Sequence, residues 1–180
     1  DERGVARFYD DDDVCVVPRL RRAPVMSYVQ ITEVVQSGRG KRRHHGVDLK
    51  APEGTPVLVP FEARVVRTNW NRRINGNCIE VQYTTDELPS PTVARFLHLH
   101  ELAPDVHAGV RFPAGVFLGT VGSTGRSSAA HLHYELRDLA GRVLDPLRVH
   151  GTVVVRAPAT QHATLEHLRR TYLGAMAPET

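Results

Sequence analysis

Apolar residues in this chain recur mostly at every second position, in short runs closed by Gly or Pro. That is the period of half-buried β-strands, whose successive side chains point to opposite faces. Strands are predicted over residues 14–17, 26–35, 56–59, 63–68, 78–84, 93–98, 116–121, 131–137 and 152–155. A helical period is convincing only over residues 160–173, where Leu165, Leu168 and Leu173 share a face. Residues 86–91, which include Pro89 and Pro91, read as a loop between two paired strands. Many short strands separated by turns predict a mainly all-β fold: a small antiparallel β-sandwich or open barrel, with a C-terminal helix. Residues 1–38 read as a β lead-in, 39–150 as the domain that holds the chemistry, and 151–180 as a strand-and-helix extension. The helix is expected to pack back on the sheet or to dock a partner.

Length and composition suit this picture. A chain of 180 residues, 41% hydrophobic and 24% charged, fits one globular domain with a real core. No apolar run approaches the roughly 20 residues of a membrane-spanning helix. The chain opens Asp1-Glu2-Arg3-Gly4, without Met or an apolar signal core, so a processed or truncated form is expected, with any targeting segment removed from view. The net charge is only +3 but it is clumped: residues 10–13 are all Asp, while Arg39, Lys41, Arg42 and Arg43 lead straight into His44. A basic rim beside a cleft attracts an anionic polymer such as nucleic acid or cell wall. For any one of these residues a solvated loop position is the more common explanation. Nucleic acid is not expected as a partner, because aromatics are few and no recognised module is present. Cys15 and Cys78 lack a Cys-x-x-Cys spacing, which argues against a cysteine zinc site. One disulfide and two buried thiols both remain open.

The chemistry lies in two histidine motifs, His44-His45-Gly46-Val47-Asp48 and His131-Leu132-His133-Tyr134-Glu135. On a strand, His131 and His133 point the same way. Gly46 permits a tight backbone path that lets His44 and Asp48 reach one point. Two imidazoles and one carboxylate make the ligand set of a catalytic zinc site, which keeps a fourth position for water. A hard cation such as Mg²⁺ would favour an all-oxygen set. One histidine of the second motif, together with His98, is then free for acid–base work. A closed structural zinc site is a poor reading, since it would prefer cysteines or a fourth protein ligand. His107, His150, His162 and His167 read as surface or satisfied core residues. The stretch from Gly119 to Ser127 is glycine-rich but is no phosphate loop: Thr120 stands where the first glycine belongs, Arg126 where the lysine belongs, and a strand follows.

The pattern His-x-Gly-x-Asp followed by Ala51-Pro52-x-Gly54-Thr55-Pro56-Val57, then Phe96-Leu97-His98-Leu99, then Gly119-Thr120-Val121-Gly122-Ser123-Thr124-Gly125-Arg126-Ser127 and His131-x-His133, resembles the lysostaphin/LytM-type family of zinc endopeptidases. The resemblance covers about Arg43 to Asp138, and Leu144-Asp145-Pro146-Leu147 looks like the family's exit. It implies the LytM-type fold and hydrolysis of peptide cross-links in bacterial peptidoglycan, with zinc (one per chain) as cofactor. By position it implies His44, Asp48 and His133 as zinc ligands and His98 and His131 as catalytic histidines, one as acid/base and one stabilising the oxyanion. Gly46 sets the register, since the family's ligand lies two residues before that glycine, which leaves His45 a bystander. Phe8-Tyr9-Asp10 and Arg22-Ala23-Pro24-Val25 are similar to the lead-in of Gram-negative members. That favours D-Ala to meso-diaminopimelate cross-links over Gly–Gly bridges, and a periplasmic or secreted location. The alternative is a catalytically silent relative that binds cell wall and activates another hydrolase, although such relatives lose ligands or catalytic histidines and this chain has all five. Departures are Phe96 for the usual tyrosine, Ser128-Ala129-Ala130 for Thr-Gly-Pro, a lengthened cleft-side connection at 86–91, and His100, expected on the same strand face as His98.

Overall fold

The alternation that marks residues 131–138 as a strand also decides what its two faces do. Leu132, Tyr134 and Leu136 are fully buried on one face, so His131, His133, Glu135 and Arg137 fall on the other. A computed structural model describes residues 9–10, 12–37, 43–88 and 90–176. Phe8, Asp11, Arg39, Lys41, Arg42, Pro89 and the side chain of Leu173 lie outside the described residues. In chain order the strands are β1 (Arg19–Leu20), β2 (Gln30–Glu33), β3 (Val47–Lys50), β4 (Pro56–Leu58), β5 (Ala63–Thr68), β6 (Asn77–Tyr83), β7 (Thr92–Leu99), β8 (Arg111–Phe112), β9 (Phe117–Thr120), β10 (His131–Asp138), β11 (Val143–Leu144) and β12 (Thr152–Val153). The helices are α1 (Arg72–Asn75), α2 (Pro146–His150) and α3 (His162–Met176), the last entered through a 3-10 turn at Ala159–Gln161.

The main sheet is antiparallel and runs β2-β3-β10-β7-β6-β5-β8, with β11 pairing the far end of β10. It is not closed, β2 and β8 being its edges. The ribbon of β4 and β9 gives Val57 and Leu118 to the same core cluster as Val47, Leu49, Ile79, Val81, Phe96, Leu132 and Tyr134. Each of these side chains is fully buried, and full burial of one such side chain is worth about 1.5–3 kcal/mol. The expected mainly-β, open architecture with a C-terminal helix is therefore what the chain adopts.

Several elements differ from the pattern reading. Residues 14–17 make isolated bridges, Tyr9 to Cys15 and Val14 to Arg156, rather than a strand. The long run 26–35 narrows to β2. Tyr28 explains why: its hydroxyl donates to the Pro18 carbonyl at 2.6 Å and accepts from the Leu20 N–H at 3.0 Å. Residues 18–28 thus curl around a buried ring instead of extending. Strands β1, β3, β8 and β11 and helices α1 and α2 lie outside the expected elements. Helix α2 has a clear local cause, since the Asp145 carboxylate accepts from the Leu147 N–H at 2.9 Å, with Pro146 in the first turn. Helix α3 leaves Leu168 43% exposed. The helix is tied to the lead-in, Arg169 reaching Asp13 at 2.8 Å and His162 reaching it at 3.4 Å. Cys15 and Cys78 are both buried free thiols.

Candidate metal centre

Strands β3 and β10 bring the two histidine motifs together. Their register sets His133 directly opposite Asp48, and directly opposed residues of an antiparallel pair share a face. Gly46 makes this approach possible, though not by an unusual turn, as it is absent from the positive-φ positions. A Cβ at Gly46 would stand 2.4 Å from the Tyr134 carbonyl oxygen and 3.1 Å from His133 Nε2. Just upstream, backbone bonds between His44 and both Gln36 and Ser37 hold His44 over the end of β2. His44 Nδ1 lies 3.2 Å from the Val34 carbonyl. A carbonyl only accepts, so Nδ1 carries the proton and the lone pair of Nε2 faces Asp48 and His133.

Three donor atoms then meet. His44 Nε2 is 3.1 Å from Asp48 Oδ1, His133 Nδ1 is 2.8 Å from the same oxygen, and the two nitrogens are 3.0 Å apart. Tetrahedral zinc with arms of about 2.0–2.1 Å has donor–donor edges of about 3.3–3.4 Å. A widening of a few tenths of an ångström would seat the ion, and two nitrogens with one oxygen suit zinc better than a hard cation. His44, Asp48 and His133 could therefore hold a metal. The electrostatics point the same way. Burial alone would raise the Asp48 carboxyl, but the His133 and His44 rings beside it outweigh burial and hold it well below the usual carboxylate range. Burial alone would lower His133, yet Asp48 and Glu135 raise its pKa to about 9. The cluster attracts positive charge to its centre.

The two remaining histidines face the triangle from one side. His131 Nδ1 donates to the Ala129 carbonyl at 2.8 Å, leaving Nε2 at 3.7 Å from Asp48 Oδ1. His98 Nδ1 donates to the Thr124 carbonyl at 2.9 Å. Its ring centroid is 5.1 Å from that of His131 and 6.1 Å from that of His133. Burial, opposed by the Thr124 carbonyl and reinforced by His131 and His133, lowers the His98 pKa to about 4. These five residues line an open cleft of about 580 Å³ together with Glu33, Arg126, Ser127 and Ser128. That volume lies within the usual range of ligand sites.

His98 reaches the cleft through an irregularity. Asn77 pairs with Leu99 but Ile79 with Phe96, so β7 carries one extra residue there. His98 itself has φ +65. This bulge puts His98 on the cleft face, whereas strict alternation would have put it with Phe96 in the core. Two neighbouring positions follow from where β7 bulges and where it ends. Phe96 is fully buried beside Tyr134, with ring centroids 5.2 Å apart, so the hydroxyl of a tyrosine there would not lie among the cleft residues. His100 turns away to pair with Glu53 at 3.0 Å. The 86–91 connection is not cleft-side either. It joins β6 to the start of β7, six residues before His98, a distance of about 20 Å at strand rise. His45 is exposed near Arg137, and His150 is a satisfied core residue, bonded to Tyr134 and to the Arg22 carbonyl.

Sequence reasoning gave no role to Glu33, Arg126 or Glu135. Glu135 shares the cleft-side face of β10, a position readable from the two-residue period. Its carboxylate accepts from Arg95 Nη1 at 3.2 Å and from Arg137 Nε. Arg95 also donates to Glu80 at 2.6 Å, and Arg67 grips both Glu80 oxygens at 2.9 Å. A row of alternating charge thus crosses β10, β7, β6 and β5.

The model of peptidase family M23 matches residues 42–146, more than half of the chain. The chain belongs to peptidase family M23. The M23 match encloses all five histidine and aspartate positions of the cleft. Among relatives, peptidoglycan DD-endopeptidase ShyA of Vibrio cholerae is 29% identical over 163 residues, 87% of this chain and 36% of its own length. Glycyl-glycine endopeptidase ALE-1 of Staphylococcus capitis is 34% identical over 92 residues, 51% of this chain and 24% of its own length. Among solved structures, a zinc-containing peptidase from Vibrio cholerae matches with TM-score 0.60 and 26% identity, over 80% of this chain and 44% of that one. The M23 chain described here thus spans between 24% and 36% of the length of these two curated relatives.

Proposed function

We propose that this M23 chain is a zinc-dependent endopeptidase that hydrolyses peptide cross-links of bacterial peptidoglycan. In this reading one zinc per chain is held by His44, Asp48 and His133, and His98 and His131 are the catalytic histidines. The observation that carries it is the triangle of donor atoms, 2.8–3.1 Å on edge, opening on a cleft that holds two further histidines. Relatives named as peptidoglycan endopeptidases and a zinc-containing structural neighbour support it.

When bound, zinc supplies Lewis-acid polarisation of the scissile carbonyl and lowers the pKa of water toward about 7. The chain's own residues do the rest. Both catalytic histidines have Nδ1 tied to a backbone carbonyl, which leaves Nε2 as the working atom of each. One Nε2 accepts a proton from the attacking water and returns it to the leaving amine. The other, protonated, donates to the negative charge that develops on the carbonyl oxygen. For the bond cut, the reading takes D-Ala to meso-diaminopimelate, because the likeness to ShyA runs through the lead-in while that to ALE-1 covers half the chain. Residues 39–150 are taken as the peptidase domain, flanked by the lead-in and the C-terminal extension. In this reading the enzyme works where its substrate lies, in the periplasm or outside the cell; no described helix is long and apolar enough to cross a membrane. The silent wall-binding reading has no observation in its favour, since all five side chains line the cleft.

The test is digestion of purified sacculi of both cross-link chemotypes, with mass spectrometry of released fragments and a chelated control. Cleavage between D-Ala and meso-diaminopimelate is expected, lost on chelation. His131→Ala should keep about one zinc per chain by metal analysis and lose about 10²–10⁴-fold in rate. A zinc-loaded chain that releases nothing from either chemotype would refute the enzymatic reading. Cleavage of Gly–Gly bridges alone would refute the choice of bond.

A further inference from the structure

The two histidines of the triangle are braced differently. The outer nitrogen of His44 donates to a backbone carbonyl, that of Val34. The outer nitrogen of His133, Nε2, faces a carboxylate instead: Glu135 Oε2, 3.7 Å away and two residues along the same face of β10. Glu135 is only 5% exposed, and an ionised carboxylate so deep is strongly unfavourable unless it is paired. Arg95 and Arg137 supply that pairing, but both reach Oε1. His133 makes its own closest approach to Oε2. At 3.7 Å the contact is longer than a hydrogen bond, so it acts here as a charge contact that a small rotation of either side chain would close.

We propose that Glu135 is a positioning residue for the metal centre: its Oε2 accepts a hydrogen bond from the Nε2–H of His133, which fixes the ring with Nδ1 toward the metal, while Arg95 and Arg137 fix the carboxylate. This rests on the zinc reading above and extends it to a residue outside the ligand set. The physical basis is general. A ligating histidine donates its other ring N–H to a fixed acceptor, which sets its tautomer and raises its basicity, and loss of such an acceptor costs about 10–100-fold in metal affinity. The bland explanation is that Glu135 merely neutralises two arginines. The fold contains its own control, because Glu80 is equally buried at 6%, bridges Arg67 and Arg95, and makes no contact with a histidine.

Three variants separate these explanations: Glu135→Ala, Glu135→Gln and Glu80→Ala. Zinc affinity is read by chelator competition, and folding by thermal unfolding of the metal-free chains. Glu135→Ala should weaken zinc binding about 10–100-fold. Glu135→Gln, which keeps an acceptor oxygen, should recover most of that loss. Glu80→Ala should lower the unfolding temperature with zinc affinity within about twofold of wild type. Wild-type affinity in Glu135→Ala, or an equal loss in Glu80→Ala, would overturn the proposal. The wild-type chain gives a check that needs no variant to fold. In its zinc-loaded form, ¹H–¹⁵N correlation of the His133 ring should show the proton on Nε2, and the opposite tautomer would overturn the proposal. Absence of zinc from the wild-type chain would instead remove the metal reading on which it rests.

Discussion

His98 occupies a left-handed backbone conformation, φ +65, one residue before the end of β7. For a residue with a side chain this costs of order 1–3 kcal/mol and persists where the surroundings over-determine it. Here they do: the ring bonds the Thr124 carbonyl, and the Thr124 hydroxyl donates to the neighbouring Leu99 carbonyl at 2.6 Å. The same bulge leaves Phe96 in the core. Phe96→Tyr should therefore leave the hydrolytic rate on peptidoglycan within about twofold of wild type. A gain of tenfold or more would mean that the hydroxyl reaches the cleft. At this scale much of the site was legible in the sequence, since His44, Asp48, His98, His131 and His133 were all named from it and all line one cleft. His100 does not share the face of His98 because β7 ends at Leu99, and strand alternation does not reach it. An extra residue in β7 depends on its pairing with β6, and nothing local in Phe96-Leu97-His98-Leu99 announces it.

Strand β3 is four residues long, yet it decides whether the two motifs meet. Val47 and Leu49 are fully buried while Asp48 and Lys50 alternate with them. That period is present in the sequence, but two apolar positions are too few to mark a strand by alternation alone. Strand β5 coincides with its predicted span and β10 extends one residue beyond it, because each shows several full periods. Helix α2 went unseen because five residues make little more than one turn, and its sign was the cap Asp145 with Pro146 rather than any periodicity. The critical contact of β3 is at its entrance, where a methyl group on Gly46 would overlap the Tyr134 carbonyl. Gly46→Ala should lower stability by about 1–3 kcal/mol, as overpacking does, and should weaken zinc binding by displacing His44 and Asp48 from β10. Denaturant unfolding of the metal-free chain and chelator competition measure the two effects. Wild-type values in both would show that the strands have room to part without loss.

Across the whole molecule, His150 ties distant parts of the chain together. Its Nδ1 donates to the Arg22 carbonyl at 2.7 Å, its Nε2 accepts from the Tyr134 hydroxyl at 2.9 Å, and that hydroxyl is 2.6 Å from the Tyr83 hydroxyl. Burial, only partly opposed by the Arg22 carbonyl, lowers the His150 pKa to about 4, against about 6.5 in an unfolded chain. Between these values the unfolded state binds the extra proton, so stability is full above about pH 6.5 and falls as pH drops toward 4. The group's share of that loss is about 3 kcal/mol. His98 titrates in the same direction, so the test must be specific to one residue. Metal-free His150→Gln should be less stable than wild type at pH 7 in urea, but should lose about 2–3 kcal/mol less between pH 7 and pH 4. Equal losses in the two chains would discard this assignment. The charged row on the opposite face of the sheet has a different consequence, for how the strands choose their partners. A slip of one residue between β7 and β10 would be punished by the core, because it turns every apolar side chain outward. A slip of two keeps the faces correct, and apolar burial alone is nearly blind to it. The row is not blind: from the native pairing of Glu135 with Arg95, a two-residue slip sets Arg137 or His133 against Arg95 instead. On the other side, the same slip of β6 would strand the buried Glu80 opposite Val93 or leave Arg95 facing Gln82. The alternating charges thus act as a proofreading device for registry, rejecting the near-miss sheets that hydrophobicity would accept and in which the cleft residues could not assemble.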